Sequence, residues 1–122
     1  MAKHNELGKF GEEKAREYLI SNGYAIRHCN WRSGKNELDI VAEKDNMLVV
    51  VEVKMRSSDF FGNPEDSITN AKMKRTISAA HDYICSQDIN METRFDIISI
   101  LKNAEGHYEI EHIEDAFMPS WR

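Results

Sequence analysis

Between residues 5 and 22 the apolar positions recur at intervals of three and four. Leu7, Phe10, Gly11, Ala15, Tyr18 and Leu19 fall on one face of a helix. Asn5 is placed to cap its start, and Asn22-Gly23 supplies a left-handed stop. Beyond it the pattern changes to strand-like runs. Tyr24–Trp31 reads as a strand, and Arg32–Asn36 has turn composition. Glu37–Glu43 and Met47–Arg56 read as a hairpin joined by Lys44-Asp45-Asn46. Within its second strand, Val49-Val50-Val51 is continuous, the mark of a strand covered on both faces. Ser57–Asn63 reads as a loop. Asn63, Pro64 and the acids behind them predict a second helix running to about Ser86. Arg94–Lys102 and His107–Ile113 read as strands separated by a turn at Asn103–Gly106. The order α-β-β-β-α-β-β predicts an α/β fold, a mixed five-stranded sheet flanked by helices.

The chain has 122 residues, the size of one domain, so residues 1–122 are expected to form a single unit. Its longest apolar run, Met47–Val51, is far too short to span a membrane. Residues 1–6 have no apolar core of a secretory signal. A cytoplasmic location with Cys29 and Cys85 as free thiols is therefore expected. The cysteines and the five histidines are scattered, which argues against zinc. Net charge is −5, which counts weakly against nucleic-acid binding. The distribution qualifies that sum. Residues 1–36 carry seven basic and four acidic groups, whereas residues 37–71 carry three and eight. A local field governs binding, and a bound cation would neutralise a local acidic cluster.

The chemistry is concentrated in Glu37-Leu38-Asp39-Ile40-Val41 and Val51-Glu52-Val53-Lys54. Alternation puts Glu37 with Asp39 on one face of the first strand. It puts Glu52 and Lys54 on the same face as Leu48 and Val50 in the second. Val49, Val51, Val53 and Met55 form the other, wholly apolar face. Ionisable groups in the middle of such a hairpin need partners. One arrangement pairs Lys54 with Glu52 or Asp39 across a wet sheet edge. The other uses two carboxylates to hold Mg²⁺ or Mn²⁺, with Lys54 beside a reacting phosphate. The Glu-x-Lys pattern by itself is weak, since it also occurs at Glu12-Glu13-Lys14.

An Asp on one strand, then Glu-x-Lys on the next, behind a helix carrying Glu, resembles the PD-(D/E)xK nuclease superfamily. Within it the chain most resembles the bacterial YraN family of predicted endonucleases, related to archaeal Holliday-junction resolvases. The matching residues are Gly8-x-x-Gly11-Glu12-x-x-Ala15 with Tyr18-Leu19, Gly23-Tyr24, Asn30-x-Arg32, Glu37-Leu38-Asp39-Ile40-Val41-Ala42, Val51-Glu52-Val53-Lys54-x-Arg56, Lys72 and Arg94-Phe95-Asp96-Ile97. They cover almost the whole chain. Asn36 stands where that family usually has Gly, and Leu38-Asp39 replaces the literal Pro-Asp. The resemblance implies a restriction-endonuclease-like core and hydrolysis of DNA phosphodiester bonds with Mg or Mn, at branched or junction DNA if the resolvase kinship extends that far. It implies Asp39 and Glu52 as metal ligands, the Val53 carbonyl as a third, Lys54 as the catalytic lysine and Glu12 as an assisting acid. A homodimer is expected only by analogy with resolvases.

The helical wheel places Glu12 at the border of the buried face and Glu13 away from it. Glu12 as a first-turn carboxylate helping the helix dipole is the alternative. Lys72 falls inside the apolar arc of the second helix, either reaching the acidic site or a phosphate, or snorkelling to water. Glu37 reads as a second carboxylate beside Asp39 or as an exposed strand-end acid. Arg27, Arg32, Lys35, Arg56, Lys74 and Arg75 are candidate phosphate contacts. Phe60-Phe61 and Trp121 are aromatic positions open to stacking or packing. Two other functions fit the same composition: a non-catalytic nucleic-acid-binding module, and a protein-interaction domain using the acidic C-terminal block.

Overall fold

The computed structural model describes residues 2–57 and 68–117, with side chains from Gly8 to Arg56 and from Ile68 to Phe117. The elements are α1 (Ala2–Ser21), β1 (Ala25–Ser33), β2 (Asn36–Lys44), β3 (Met47–Ser57), α2 (Asn70–Ser86), β4 (Glu92–Lys102) and β5 (Tyr108–Phe117). One five-stranded sheet has the order β1-β2-β3-β4-β5. All neighbours are antiparallel except β3 and β4, which are parallel and joined by the α2 crossover that parallel pairing requires. This is the predicted α/β fold, and it is consistent with a restriction-endonuclease-like core.

β3 lies at the centre because both of its faces are apolar. Leu48 and Val50 pack with Leu38, Val41, Phe95 and Ile97 against Ala79, Ala80 and Tyr83 of α2. Val49 and Val51 pack with Ile40, Ala42, Ile98 and Ile100 against Ala15 and Leu19 of α1. Gly11 lets α1 lie close to the sheet: a Cβ there would stand 2.9 Å from Met55 Cγ and Sδ. At the end of α1, Gly23 takes φ +87°. Tyr24 N–H donates to Leu19 O at 2.9 Å and Gly23 N–H to Ile20 O at 3.1 Å, a Schellman stop.

Several boundaries differ from the sequence reading: β4 begins at Glu92 rather than Arg94, and β5 runs to Phe117 rather than Ile113. Asn5 lies inside α1, which begins at Ala2, and does not cap it. Arg32 and Ser33 belong to β1, and the turn shrinks to Gly34-Lys35 because Ser33 pairs with Asn36. A helix continuous from Asn63 does not form, since Ile68 and Thr69 are not helical. Instead the Thr69 hydroxyl caps α2 by accepting from Lys72 N–H at 3.1 Å. Phe60, Phe61, Asn63 and Trp121 lie outside the described residues.

Candidate metal and phosphate site

The site begins as a fault in the ladder. Asp45 (φ 53°) and Asn46 (φ 61°) both take left-handed backbone, the requirement of a two-residue type I′ hairpin. That turn fixes the register Lys44↔Met47, Ala42↔Val49 and Ile40↔Val51. The next residues to exchange backbone bonds would be Leu38 and Val53, but pairing ends at Ile40↔Val51. The Val53 N–H donates to Asp39 Oδ2 at 2.9 Å instead. The N–H and C=O of one strand residue point to the same neighbour, so the Val53 carbonyl is directed into the same fork. Asp39 and Glu52 are the first residues on the two strands beyond the last pair.

The facing of both β1 and β2 changes at this point. Leu38 packs on the α2 side and Ile40 on the α1 side, although strict alternation would put them together. The same reversal occurs across the sheet, where Trp31 packs on the α2 side and Cys29 on the α1 side. Asn30 between them takes φ 54° and supplies the turn. The alternation that predicts Glu37 and Asp39 on one face therefore does not run unbroken through the site.

Glu52 is buried, with 6% of its surface exposed. Lys72 Nζ lies 3.2 Å from its Oε1, while Oε2 is buried with no hydrogen-bond partner among the described residues. Burial and the adjacent Asp39 push the Glu52 carboxyl up to about 8, against the pull of Lys72. Asp39 is also raised, by burial first and by Glu37, with the Val53 N–H and Lys72 opposing. Two adjacent buried carboxyls thus resist carrying two full charges together.

The other sequence candidates divide between the neighbourhood of this pair and other parts of the sheet. Lys54 is exposed, two residues along β3 from Glu52 and on the same face by alternation. Glu12 is half-buried on α1, its carboxyl raised by burial, lowered by a hydrogen bond from Asn30, and raised again by Asp39 and Glu37. It is near enough to feel Asp39, yet among the described residues no three His, Cys, Asp or Glu side chains are grouped to hold a metal ion. Glu37 pairs with Arg32 Nη2 at 3.0 Å on the rim. Arg56 Nη2 stands 3.7 Å from Glu111 of β5, so it points across the sheet. A groove of about 210 Å³ beside the fork is lined by Lys9, Glu12, Glu13, Arg16, Cys29 and Asn30.

A family model described as Uncharacterised protein family UPF0102 matches residues 11–100. The chain belongs to UPF0102. That is the YraN family which the sequence resembles. A UPF0102 protein of Phocaeicola vulgatus is 51% identical over 98% of both chains. One from Bacteroides thetaiotaomicron has the same identity and coverage. The UPF0102 protein FP2501 of Flavobacterium psychrophilum is 49% identical over 96% of this chain and 98% of its own. The span matched by the UPF0102 model contains Glu12, Asn30, Asp39, Glu52, Lys54 and Lys72.

Two features of this UPF0102 chain escape a reading by charge and period. Asn30 both turns β1 and holds Glu12; its signal is that Asn tolerates positive φ better than most residues. The second is the environment of Asp96, which is fully buried. It accepts from Arg94 Nε and Nη2, each at 2.8 Å, from His112 Nε2 at 2.7 Å, and from Asp115 N–H at 2.9 Å. Arg94 also donates to Tyr24 at 2.8 Å, and His112 Nδ1 lies 3.2 Å from Tyr18 OH. This network ties α1 to β4 and β5. No helix among the described residues is long and apolar enough to cross a membrane.

Proposed function

We propose that this UPF0102 chain is a metal-dependent endonuclease that hydrolyses DNA phosphodiester bonds. The observation that carries the reading is Glu52: a buried carboxyl group with an oxygen that has no hydrogen-bond partner among the described residues, beside a second carboxyl, at a place where the sheet opens. The donor set is all oxygen, namely Asp39, Glu52 and the Val53 carbonyl, which suits Mg²⁺ or Mn²⁺ with waters filling the shell. Such an ion, when bound, lowers the pKa of a water and polarises a phosphoryl oxygen.

The chain's own residues have separable tasks in this reading. Val53 N–H fixes the Asp39 carboxylate in place. Lys54, exposed two residues beyond Glu52 on β3, meets the scissile phosphate and favours the charge that builds on it. Glu12 stands back from the carboxylate pair and orients groups on the α1 side through Asn30. Lys72 balances Glu52 before substrate arrives. That same pair favours a second reading, a non-catalytic nucleic-acid-binding module, because it gives Glu52 a cation of its own.

The deciding experiment is a cleavage time course on labelled four-way junction, flap, duplex and single-stranded DNA with Mg²⁺ or Mn²⁺. Wild type is compared with Glu52→Gln and Lys54→Ala prepared identically. Cutting by wild type alone supports the nuclease, and the preferred substrate names its class. Binding without cutting in any metal moves the assignment to the binding module. Equal cutting by all three removes the proposed site.

A further inference from the structure

We propose that the β1–β2 ribbon beyond the fork is a groove-reading element, and that the substrate it selects is B-form duplex DNA rather than RNA or single strands. The inference rests on the nuclease reading and specifies its substrate. β2 leaves β3 after Ile40↔Val51 but stays paired with β1 through Trp31↔Leu38, Arg32↔Glu37 and Ser33↔Asn36. From Asp39 outward the structure is therefore a two-stranded ribbon, about 10 Å long at 3.3 Å per residue. A B-DNA major groove, about 12 Å wide, admits a two-stranded ribbon. The major groove of A-form RNA is deep and narrow and does not.

The ribbon is rigid and suitably charged. Ser33 Oγ donates to Asp82 Oδ2 at 2.6 Å, and the Trp31 ring packs edge-on against Tyr83 at 5.1 Å, so α2 holds one face. The other face and the tip carry Arg32, whose side chain is 76% exposed, and Lys35, which is exposed and makes no ion pair among the described residues. The partner of Arg32 is Glu37, a rim pair in water that exchanges readily for a phosphate or a base edge. The opposite edge of the sheet carries Glu109, Glu111, Glu114 and Asp115 exposed on β5; Arg56 and Arg94 offset Glu111 and Glu114, and Glu109 and Asp115 make that edge less favourable to nucleic acid than the tip. Asp39 sits where the ribbon joins the fork, so a duplex engaged by the tip runs past the carboxylate pair.

The test measures binding of the full chain in EDTA, where no cleavage occurs, to duplex DNA, duplex RNA of the same sequence and single-stranded DNA. The variants are Lys35→Glu and the double variant Arg32→Ala/Lys35→Ala, both at exposed positions and checked for folding by circular dichroism. Wild type is expected to prefer duplex DNA. The double variant is expected to lose about tenfold on duplex DNA, with the salt slope falling by about two, and to stay within about twofold on single strands. Equal losses on duplex and single strand, unchanged duplex binding, or equal wild-type affinity for duplex RNA would each overturn the ribbon's role while leaving the carboxylate site standing. Absence of all nucleic-acid binding by wild type removes both.

Discussion

The Lys72 ammonium stands 3.2 Å from the Glu52 carboxylate, a helix-borne cation set against a buried strand acid. Lys72 is about one-third exposed and Glu52 is not, so the two ends of the pair differ in their need for it. Lys72→Met keeps the length of the side chain and removes its charge. Glu52 then remains beside Asp39 without compensation. Urea unfolding at about pH 9, above the raised Glu52 carboxyl, is expected to show a loss of about 1 kcal/mol. In a Glu52→Gln background the same change is expected to be nearly neutral, a coupling of about 0.5–1 kcal/mol. Additive effects would mean that the pair does no work in the fold.

Glu52 sets a pH dependence of known sign. Burial, then Asp39, raise its carboxyl from an ordinary 4.5 to about 8. The unfolded chain releases this proton at lower pH than the folded one. Stability from this group is whole below about 4.5 and is lost as pH rises toward about 8. Glu52→Gln cannot ionise, so its melting temperature should fall less than that of wild type between these limits. At pH 8 the variant should be the more stable protein. Parallel curves would show that Glu52 ionises normally.

Much of this was legible beforehand, for reasons that can be located. The two covered faces of β3 follow from Val49, Val50 and Val51, because an apolar run is read the same way whatever surrounds it. Asp39 and Glu52 stood out as charges interrupting that run. Lys72 was visible as a misfit in an apolar arc, but its partner depends on how α2 lies over the fork. Asn30 was not visible as a site residue, since a positive φ inside a strand follows from the reversal of facing and leaves no periodic trace. The Asp96 network joins residues 18, 24, 94, 96, 112 and 115, and such long-range pairing has no local signal. The start of α2 was misplaced because Asn63-Pro64 is a stronger cap signal than Thr69.

Metal and lysine should separate cleanly. Mn²⁺ is expected to raise the wild-type melting temperature through binding to the folded state alone. Glu52→Gln should lose that increase. Lys54 is exposed, so Lys54→Ala should unfold within about 0.5 kcal/mol of wild type and keep the Mn²⁺ effect. Its cleavage should drop by about a hundredfold or more. A Lys54→Ala protein that loses the Mn²⁺ stabilisation would place the lysine in the metal site rather than at the phosphate.

Asp96 should be the acid-sensitive point of the fold, and its sign is opposite to that of Glu52. Burial pushes its carboxyl up, but His112, Arg94 and the Asp115 N–H outweigh burial and hold it below its ordinary 3.8. The unfolded chain therefore takes up this proton first as pH falls. Stability from Asp96 is fully present above about 3.8 and is lost as pH drops through the lower folded value. Asp96→Asn strands the Arg94 guanidinium among groups built for a carboxylate, and should cost about 3 kcal/mol at neutral pH. His112→Asn disrupts the bonds to Asp96 and Tyr18 but leaves the Arg94–Asp96 pair intact, so it should cost less, about 1–2 kcal/mol. Between pH 5 and 2, wild type should lose stability more steeply than Asp96→Asn in urea unfolding. Equal slopes for the two proteins would show that the carboxylate is not held ionised by this network.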